Sequence, residues 1–232
     1  MADVIVSTSG TSGGMGKQLA LSPEIMKLRV DMTDLGKGKN ITDCQVVYVA
    51  KAAGSSSYQR WKAWAETRGK KVLPAVAPDK IAVTFASEKV DAIDAAPAYL
   101  VMVADIFAKI GKPANLKQAI SGHAKMSRTD AAYVQKWLSK DLQIGYGCTE
   151  VGTVASGSAE EVADIDGCVG KPLPGITVEI DGGYIRIKSP TMAENYLDYA
   201  EMDAEHFRNG WFYPGDKGYL TSDGRLVITE TR

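Results

Sequence analysis

The chain has 232 residues, of which 27 are Lys or Arg and 28 are Asp or Glu, so its formal net charge is -1. This balance excludes the basic footprint of nucleic-acid binding or of an anionic membrane surface, so we expect neither partner. The three cysteines, Cys44, Cys148 and Cys168, are odd in number and lack CxxC spacing, which indicates neither a disulfide framework nor a zinc site. Without a signal sequence or a long apolar run, the sequence predicts a cytoplasmic protein.

The chain begins with a short apolar run, Val4 to Val6, and a segment rich in glycine and hydroxyls, Ser7 to Lys17. Glycine accepts positive φ and leaves backbone N–H groups uncovered, while the hydroxyls and the terminal lysine can donate to anions, so the segment predicts a phosphate-binding loop. A flexible Gly/Ser linker is the alternative from composition alone. The spacing excludes a Walker A loop, because Thr11 and Gln18 occupy two required positions, and Leu19 breaks the GxGxxG fingerprint.

From residue 21 to 145, apolar runs of strand length alternate with segments of helical period. Ser22 and Pro23, for example, are typical of an N-cap and a first helical position. The predicted helices cover residues 22–36, 58–68, 78–88, 97–110 and 129–139, and the predicted strands cover 44–49, 71–74, 90–95, 116–121 and 142–145. Repeated strand–helix–strand units predict an α/β fold with a mostly parallel sheet flanked by helices.

After residue 167 the pattern changes to short strands separated by Asp-Gly and Asn-Gly turns, which predicts a smaller antiparallel, barrel-like subdomain. These strands cover residues 177–180, 184–187, 211–213, 218–220 and 226–229, after a turn-rich link at 170–175. The predicted organisation is a phosphate loop at 1–20, an α/β subdomain at 21–145, a nucleotide-site loop and linker at 146–166, and a β-rich subdomain at 167–232.

Three polar segments are candidates for a binding site. Residues 121–124 and 145–150 each follow a predicted parallel strand, where ligands usually lie in such sheets. The second offers an aromatic ring, a hydroxyl and a carboxylate able to hold Mg²⁺, although a loop with a helix-capping threonine fits equally well. Residues 213–216 place Asp216 after a tight turn, where it could accept from vicinal hydroxyls such as those of ribose or be an ordinary turn residue.

Taken in order, these motifs resemble those of the adenylate-forming (AMP-binding) enzymes, which include acyl- and aryl-CoA synthetases, peptide-synthetase adenylation domains and luciferase-like proteins. Ser9 to Gly13 resembles the start of the SGTTGxPKG loop, Gly145 to Glu150 the YGxTE motif, Gly170 to Pro172 the GKP turn, residues 184–187 with 195–197 the GELxI...GYL segment, and residues 211–216 with 223–226 the WxxTGDxxxxxxDG stretch. The resemblance spans nearly the whole chain and implies a partial N-terminal-domain fold of that family.

The resemblance implies ATP and Mg²⁺ as cofactors and assigns roles to individual residues. The β,γ-phosphates would be held by Thr8, Ser9, Gly10, Thr11, Ser12 and Gly13; the adenine and the acid pocket would be framed by Gly122, His123, Ala124, Gly145 and Tyr146, with Gly147 and Arg232 completing the nucleotide-binding set. Thr149 would contact the α-phosphate, Glu150 would bind Mg²⁺, and Asp216 would hold the ribose. Lys17 joins Thr149 and Glu150 as the catalytic set. For His123, a half-buried polar residue without a chemical role is the alternative.

The implied function is activation of a carboxylic acid as an acyl-adenylate, with CoA or a carrier-protein thiol as the acceptor. Two segments depart from the family pattern: Met15-Gly16-Lys17 replaces Pro-Lys-Gly, and residues 229–232 replace a Gly-Arg hinge, which Arg232 matches with a one-residue shift. Compared with the family, the chain lacks a large N-terminal segment and a C-terminal lid. We therefore expect a fragment of a ligase that self-associates through the surface left uncovered; the alternative is a non-catalytic nucleotide-binding or structural remnant.

Overall fold

The computed structural model describes residues 3–7, 17–51, 53–197 and 200–232, with the backbone alone at 200–202. The α-helices in this part of the chain are α1 (Pro23–Gly36), α2 (Ser56–Arg68), α3 (Ile81–Ser87), α4 (Pro97–Ile110), α5 (Arg128–Trp137) and α6 (Ala200–His206). The strands are β1 (Val4–Ser7), β2 (Gln18–Leu21), β3 (Val46–Val49), β4 (Lys71–Pro74), β5 (Ala92–Ala95), β6 (Gln118–Ser121), β7 (Leu142–Cys148), β8 (Gly152–Ser158), β9 (Cys168–Pro172), β10 (Thr177–Asp181), β11 (Tyr184–Lys188), β12 (Phe207–Arg208), β13 (Trp211–Phe212), β14 (Lys217–Leu220) and β15 (Leu226–Glu230).

The parallel part of the sheet confirms the predicted α/β architecture. Strands β4, β3, β5, β6 and β7 lie side by side in that order, all parallel. Their side chains alternate between two helical layers: Val47 and Val49 pack with α1 and α2, whereas Tyr48 packs with the layer of α3, α4 and α5. Because both faces are covered, these strands are apolar on both sides, as is usual for parallel sheets.

The helix boundaries follow local signals in the sequence. The Ser22 hydroxyl accepts from the Ile25 N–H at 3.2 Å and caps α1, and Ser55 caps α2 in the same way through Tyr58. Helix α4 begins at Pro97 and ends before Gly111, whose φ of +73° is one that glycine adopts at low cost. The predicted bounds of α4 are therefore confirmed.

The antiparallel strands continue the parallel sheet. Beyond β7 the order is β8, β9, β15, β14, β11, β13 and β12, with β10 as a branch on β11, and within the described strands this pairing does not close into a ring. Strands β8, β9 and β12 were not predicted, and the turn-rich link expected at 170–172 is wrong because these residues belong to β9. The reason lies at Gly170: its φ is +91°, and a Cβ there would lie 2.2 Å from the backbone of Ser156. This glycine permits two strands to approach closely.

A second small sheet lies at the start of the described chain. Strands β1 and β2 pair antiparallel, with Ser7 opposite Gln18. Strand β2, which was not predicted, contributes Leu19 and Leu21 to a buried cluster with Tyr196. The hairpin is thus fixed against the segment around residue 196, which approaches the candidate site described below.

The cysteines and the lengths of the helices bear on what the composition predicted. Cys44, Cys148 and Cys168, all within the described residues, are free thiols. None of the helices described is both long and apolar enough to cross a membrane.

Candidate nucleotide-binding site

The predicted site segments lie at one edge of the parallel sheet. Strand β6 ends at Ser121 and is followed by Gly122 to Ala124, and β7 leads directly into Thr149 and Glu150. The N–H of Gly122 donates to the carbonyl of Ala95, the last residue of β5, at 3.3 Å. Since parallel strands end at the same edge, these segments are brought together as the sequence predicts.

A hydrogen bond joins the two motifs that the sequence assigns to adenosine. The Tyr146 hydroxyl, on β7, donates to Oδ2 of Asp216 at 2.6 Å, across 70 positions of sequence. Burial and the neighbouring carboxylate raise the pKa of Tyr146 well above its usual value, so its hydroxyl stays protonated and remains a donor. The structure therefore places the Gly145–Glu150 segment and the turn before Asp216 in direct contact.

The other oxygen of Asp216 contacts the C-terminal residue of the chain. The Arg232 N–H donates to Oδ1 of Asp216 at 3.0 Å, and the Arg232 side chain approaches Nε2 of His206 at 3.2 Å and Glu205 at 2.8 Å. These residues border a cleft of about 510 Å³ whose lining includes the neighbours of Asp216, Gly215 and Lys217. The predicted positions 216 and 232 are thus brought together, and His206 is a member of this network that the sequence did not indicate.

Glu150 forms the centre of a second group of contacts. Its side chain is 8% exposed, and Oε1 accepts from the Tyr196 hydroxyl at 2.7 Å. The ammonium of Lys17 lies 4.6 Å from the centre of the Tyr196 ring. The pKa of Tyr196 is raised mainly by burial and secondly by the Glu150 carboxylate, so the hydroxyl stays protonated and can donate. Lys17 and Glu150, predicted to act together, are connected through Tyr196, a residue that the motifs did not assign a role.

Arg29 holds the backbone of the segment that carries Thr149 and Glu150. Its guanidinium donates to the carbonyls of Thr149 at 2.9 Å, Glu150 at 3.0 Å and Thr191 at 2.8 and 3.1 Å. The side chain is 5% exposed, and burial lowers its pKa to about 10, so it remains a cation at neutral pH. Arg29 is located on α1, 120 positions before Thr149, and no local signal distinguishes it from a surface arginine.

His123 lies at the opening of the same edge. Its φ is +71°, a left-handed conformation that is uncommon for residues with a Cβ, and its side chain is exposed. Partial withdrawal from water and the cations Lys51, Lys37 and Arg60 lower its pKa, against the opposing influence of Asp94. His123 is consequently a neutral ring at the entrance to a region rich in cations.

Six residues of the predicted phosphate loop, Thr8, Ser9, Gly10, Thr11, Ser12 and Gly13, lie outside the described residues. Their assignment to the β,γ-phosphates stays a prediction. The structure locates only the two flanking strands, which bring Ser7 and Gln18 into register.

The carboxylates at the candidate site are compatible with a magnesium ion that is bound mainly by a nucleotide. Within the described ranges, no group of three or more His, Cys, Asp or Glu side chains is arranged to hold a metal by itself. Mg²⁺ bound to a nucleotide needs only one or two protein carboxylates, because phosphate oxygens and water supply the remaining ligands. Glu150, which follows Thr149 at the end of β7, offers such a carboxylate.

The contact between Tyr146 and Asp216 can be tested by removing one oxygen. We expect Tyr146→Phe to lower the free energy of unfolding by about 1.5 kcal/mol, because it deletes a hydrogen bond to a charged acceptor. The matched control is Tyr219→Phe on β14, whose ring is 44% exposed and for which we expect a change within about 0.5 kcal/mol. Urea denaturation of both variants provides the comparison, and equal effects would contradict the structural importance of the bond.

A search against protein-family models matches residues 64–197 to the AMP-binding enzyme family. The match covers more than half of the chain and includes the Gly145–Glu150 segment. The chain belongs to the AMP-binding enzyme family. The resemblance inferred from the motifs is therefore confirmed.

Relatives in the AMP-binding family include CoA ligases. The 2-succinylbenzoate–CoA ligase of Geobacillus sp. (strain WCH70) is 35% identical over 98 residues, which cover 38% of this chain and 20% of that enzyme. Among solved structures, the amide bond synthetase McbA from Marinactinospora thermotolerans superposes with a TM-score of 0.84 at 23% identity, over 98% of this chain and 48% of that one. The o-succinylbenzoate-CoA synthetase MenE of Bacillus subtilis, in a complex with ATP and magnesium ion, superposes with a TM-score of 0.83 at 20% identity. This superposition covers 98% of this chain and 50% of that one.

These likenesses confirm the fold of this AMP-binding family member. The chain spans about half the length of the solved structures it matches, and its aligned stretch covers a fifth of the Geobacillus ligase. The predicted fold class, a partial adenylate-forming domain, is confirmed.

Proposed function

We propose that this chain provides the ATP- and Mg²⁺-binding part of a ligase that activates a carboxylic acid as an acyl-adenylate. The observation that carries the proposal is the 2.6 Å hydrogen bond between Tyr146 and Asp216, which unites the segment assigned to the α-phosphate and adenine with the turn assigned to the ribose. Family membership and the CoA-ligase relatives support the same chemistry.

In the proposed reaction, a substrate carboxylate oxygen attacks the α-phosphorus of ATP. A new P–O bond forms, the bond to the β-phosphate breaks, and pyrophosphate leaves with the bonding electron pair. No proton has to be removed, so positioned donors and charge compensation can supply most of the rate acceleration. This requirement agrees with the residues proposed for the site, which offer hydroxyls and the two carboxylates of Glu150 and Asp216.

The residues take the following proposed roles. Thr149 donates to the α-phosphate, and the carboxylate of Glu150 holds Mg²⁺, which neutralises charge on the phosphate oxygens when bound. Asp216 accepts from the ribose hydroxyls while Tyr146 and the Arg232 backbone orient its carboxylate. The β,γ-phosphates are assigned to Lys17 and the loop residues Thr8, Ser9, Gly10, Thr11, Ser12 and Gly13. The adenine and acid pocket is assigned to Gly122, His123, Ala124, Gly145 and Tyr146, with Gly147 and Arg232 completing the nucleotide-binding set.

The second half-reaction would transfer the acyl group from the adenylate to a thiol. CoA is the acceptor that the named relatives indicate, and a carrier-protein thiol is the alternative. We also propose self-association of the chain, because Leu28 and Leu35 are 41% and 56% exposed and lie two turns apart on α1. Size-exclusion chromatography that gives a monomer stable to dilution would contradict that part.

Acid-dependent exchange of labelled pyrophosphate into ATP tests the proposed activity. We expect exchange above background with at least one acid of a broad panel, and loss of that exchange in Glu150→Gln. Absence of exchange with every acid, in a preparation shown to bind ATP, would overturn the catalytic proposal and support the non-catalytic nucleotide-binding alternative.

A further inference from the structure

A charged cluster is buried between the sheet and the helices α1 and α2. Its centre is Asp94 on β5, which is 1% exposed. Oδ2 of Asp94 accepts from Nε1 of the buried Trp61 at 2.6 Å and lies 3.3 Å from the ammonium of Lys37, at the end of α1. A carboxylate is an unusual side chain in the middle of a parallel strand, because burial of a charge is costly unless it is fully compensated.

The compensation within this cluster is incomplete. Four buried side-chain atoms in the described part of the chain lack a hydrogen-bond partner, and three of them belong to this cluster: Oδ1 of Asp94, Nε of Arg60 and the hydroxyl of Ser57. Ser57, Arg60 and Trp61 lie within two turns of α2, so all three atoms belong to one region. Buried polar groups are nearly always satisfied, and a concentration of unsatisfied ones in one place indicates a site that completes its bonds with a ligand.

The charge of the cluster indicates the sign of the ligand. Lys37, Arg60 and Lys51 contribute three positive charges, and Asp94 is the carboxylate that acts on all three. Burial lowers the pKa of each of these cations, and the attraction of Asp94 opposes that shift. His123, which follows β6 and whose pKa is lowered by burial and by the cations of this cluster, is neutral. With an excess of two positive charges, the region favours an anion.

The position of the cluster separates it from the reacting atoms. Asp94 lies on β5, whereas Thr149 and Glu150 follow β7, with β6 between the two strands. Neighbouring strands are about 4.8 Å apart, so the backbones of β5 and β7 are roughly 10 Å apart. The Arg60 guanidinium extends across part of this distance, because its Nη1 donates to the Thr153 hydroxyl on β8 at 3.4 Å. Asp94 and the reacting segment are thus on different strands, but both lie at the edge where the acid is expected to bind.

We propose that Lys37, Arg60 and Ser57 bind an anionic group at the distal end of the acid substrate, so that the enzyme activates acids with a second negative charge. This inference rests on the proposed function for the assignment of the acid pocket. The Arg60 N–H and the Ser57 hydroxyl donate to the distal group, and Lys37 compensates its charge while remaining paired with Asp94. A protonated or hydroxylated distal group could also donate to Oδ1 of Asp94.

The same geometry disfavours a plain hydrocarbon chain. An alkyl group placed against the cluster would leave the Arg60 and Asp94 atoms unsatisfied in a dry environment, which costs about 1–3 kcal/mol for each group. A second carboxylate satisfies the two donors through charge-assisted hydrogen bonds instead. The cluster therefore discriminates between two acids of equal length that differ only in the distal group.

Calorimetric titration of the full chain with octanedioate and octanoate, in the presence and absence of AMP, tests this preference. We expect octanedioate to bind about tenfold more tightly, the gain expected from one additional charge-assisted hydrogen bond. Arg60→Met should reduce the preference to less than about threefold, because it removes the donor to the distal carboxylate and the cost of placing an alkyl group against it. Lys62→Met is the matched control, because Lys62 is an exposed cation on the same helix and should leave the preference intact.

Two further variants protect the test against misfolding. Arg60→Lys keeps the charge, and Ser57→Ala removes only the unsatisfied hydroxyl; we expect both to fold, as circular dichroism would show, and to weaken octanedioate binding selectively. The inference would be overturned if the two acids bound with equal affinity or if the preference survived Arg60→Met. It would also be overturned if neither acid bound, which is the result expected if ordered water alone fills the cluster. If the chain still preferred octanedioate but did not bind ATP, the proposed function would be overturned and the anion-binding inference would stand.

Discussion

Replacement of Arg29 by methionine should lower the free energy of unfolding by about 3 kcal/mol or more. The buried guanidinium donates four hydrogen bonds to the carbonyls of Thr149, Glu150 and Thr191. Methionine fills a similar volume but donates none, so three carbonyls would lose a charged donor in a region with little access to water. Chemical denaturation of the wild type and the variant measures the difference.

The control for this prediction is Lys27→Met, two positions away on the same helix. Lys27 is 78% exposed at its side chain and forms a surface ion pair with Asp31, so we expect a change within about 0.5 kcal/mol. Arg29→Lys should fall between the two, because one ammonium cannot reach all three carbonyls in the planar geometry of the guanidinium. If Arg29→Met and Lys27→Met were equally stable, the role of Arg29 in holding the Thr149–Glu150 segment would be refuted.

Asp216→Ala is expected to weaken ATP binding by about 100-fold. A carboxylate has about four lone-pair sites; Tyr146 and the Arg232 N–H occupy two, which leaves two for the ribose hydroxyls. Two hydrogen bonds to a charged acceptor contribute roughly 3 kcal/mol, and each 1.4 kcal/mol corresponds to a factor of ten in affinity. Titration of ATP into wild type and variant gives this ratio directly.

Deoxynucleotides make the test specific for the ribose. We expect wild type to lose about tenfold in affinity for 2′-deoxy-ATP and for 3′-deoxy-ATP, whereas Asp216→Ala should bind all three nucleotides equally. Asp223→Ala is the control, since Asp223 is an exposed carboxylate of a nearby turn, held by Thr221 and Arg225. A wild type that does not distinguish ATP from its deoxy forms would show that Asp216 does not bind the ribose.

The helical layers and the parallel strands could be predicted because their signals are local. Serine caps, proline at first helical positions and β-branched strands gave the bounds of α4 and β4 without error and those of α1, α2 and β3 nearly so. Strands β8 and β9 lack such signals: β8 is composed largely of small and polar residues, and Gly170 in β9 resembles a turn glycine. Their pairing depends on close approach of two backbones, which only the assembled sheet provides.

The residues of the candidate site also divide into those with a signal in the sequence and those without one. Asp216, Glu150 and Tyr146 could be proposed because each belongs to a recognisable motif, and the resemblance to a family supplied their roles. Arg29 belongs to no motif, and Tyr196 lies in the 195–197 segment without an assigned role, because the importance of both arises from contacts 120 and 46 positions away in sequence. Buried residues that support a site from a distant element resemble ordinary surface or core residues until the fold places them.

The proposed function requires this chain to bind the Mg²⁺ complex of ATP through Glu150 and Asp216. Calorimetric titration of ATP into the full chain, with Mg²⁺ and with EDTA, tests it most directly when performed on wild type and on Glu150→Gln. We expect binding by the wild type that is strengthened at least about tenfold by Mg²⁺, and a Glu150→Gln variant in which Mg²⁺ has no effect. Absence of ATP binding, or a magnesium effect of equal size in both proteins, would contradict the assignment.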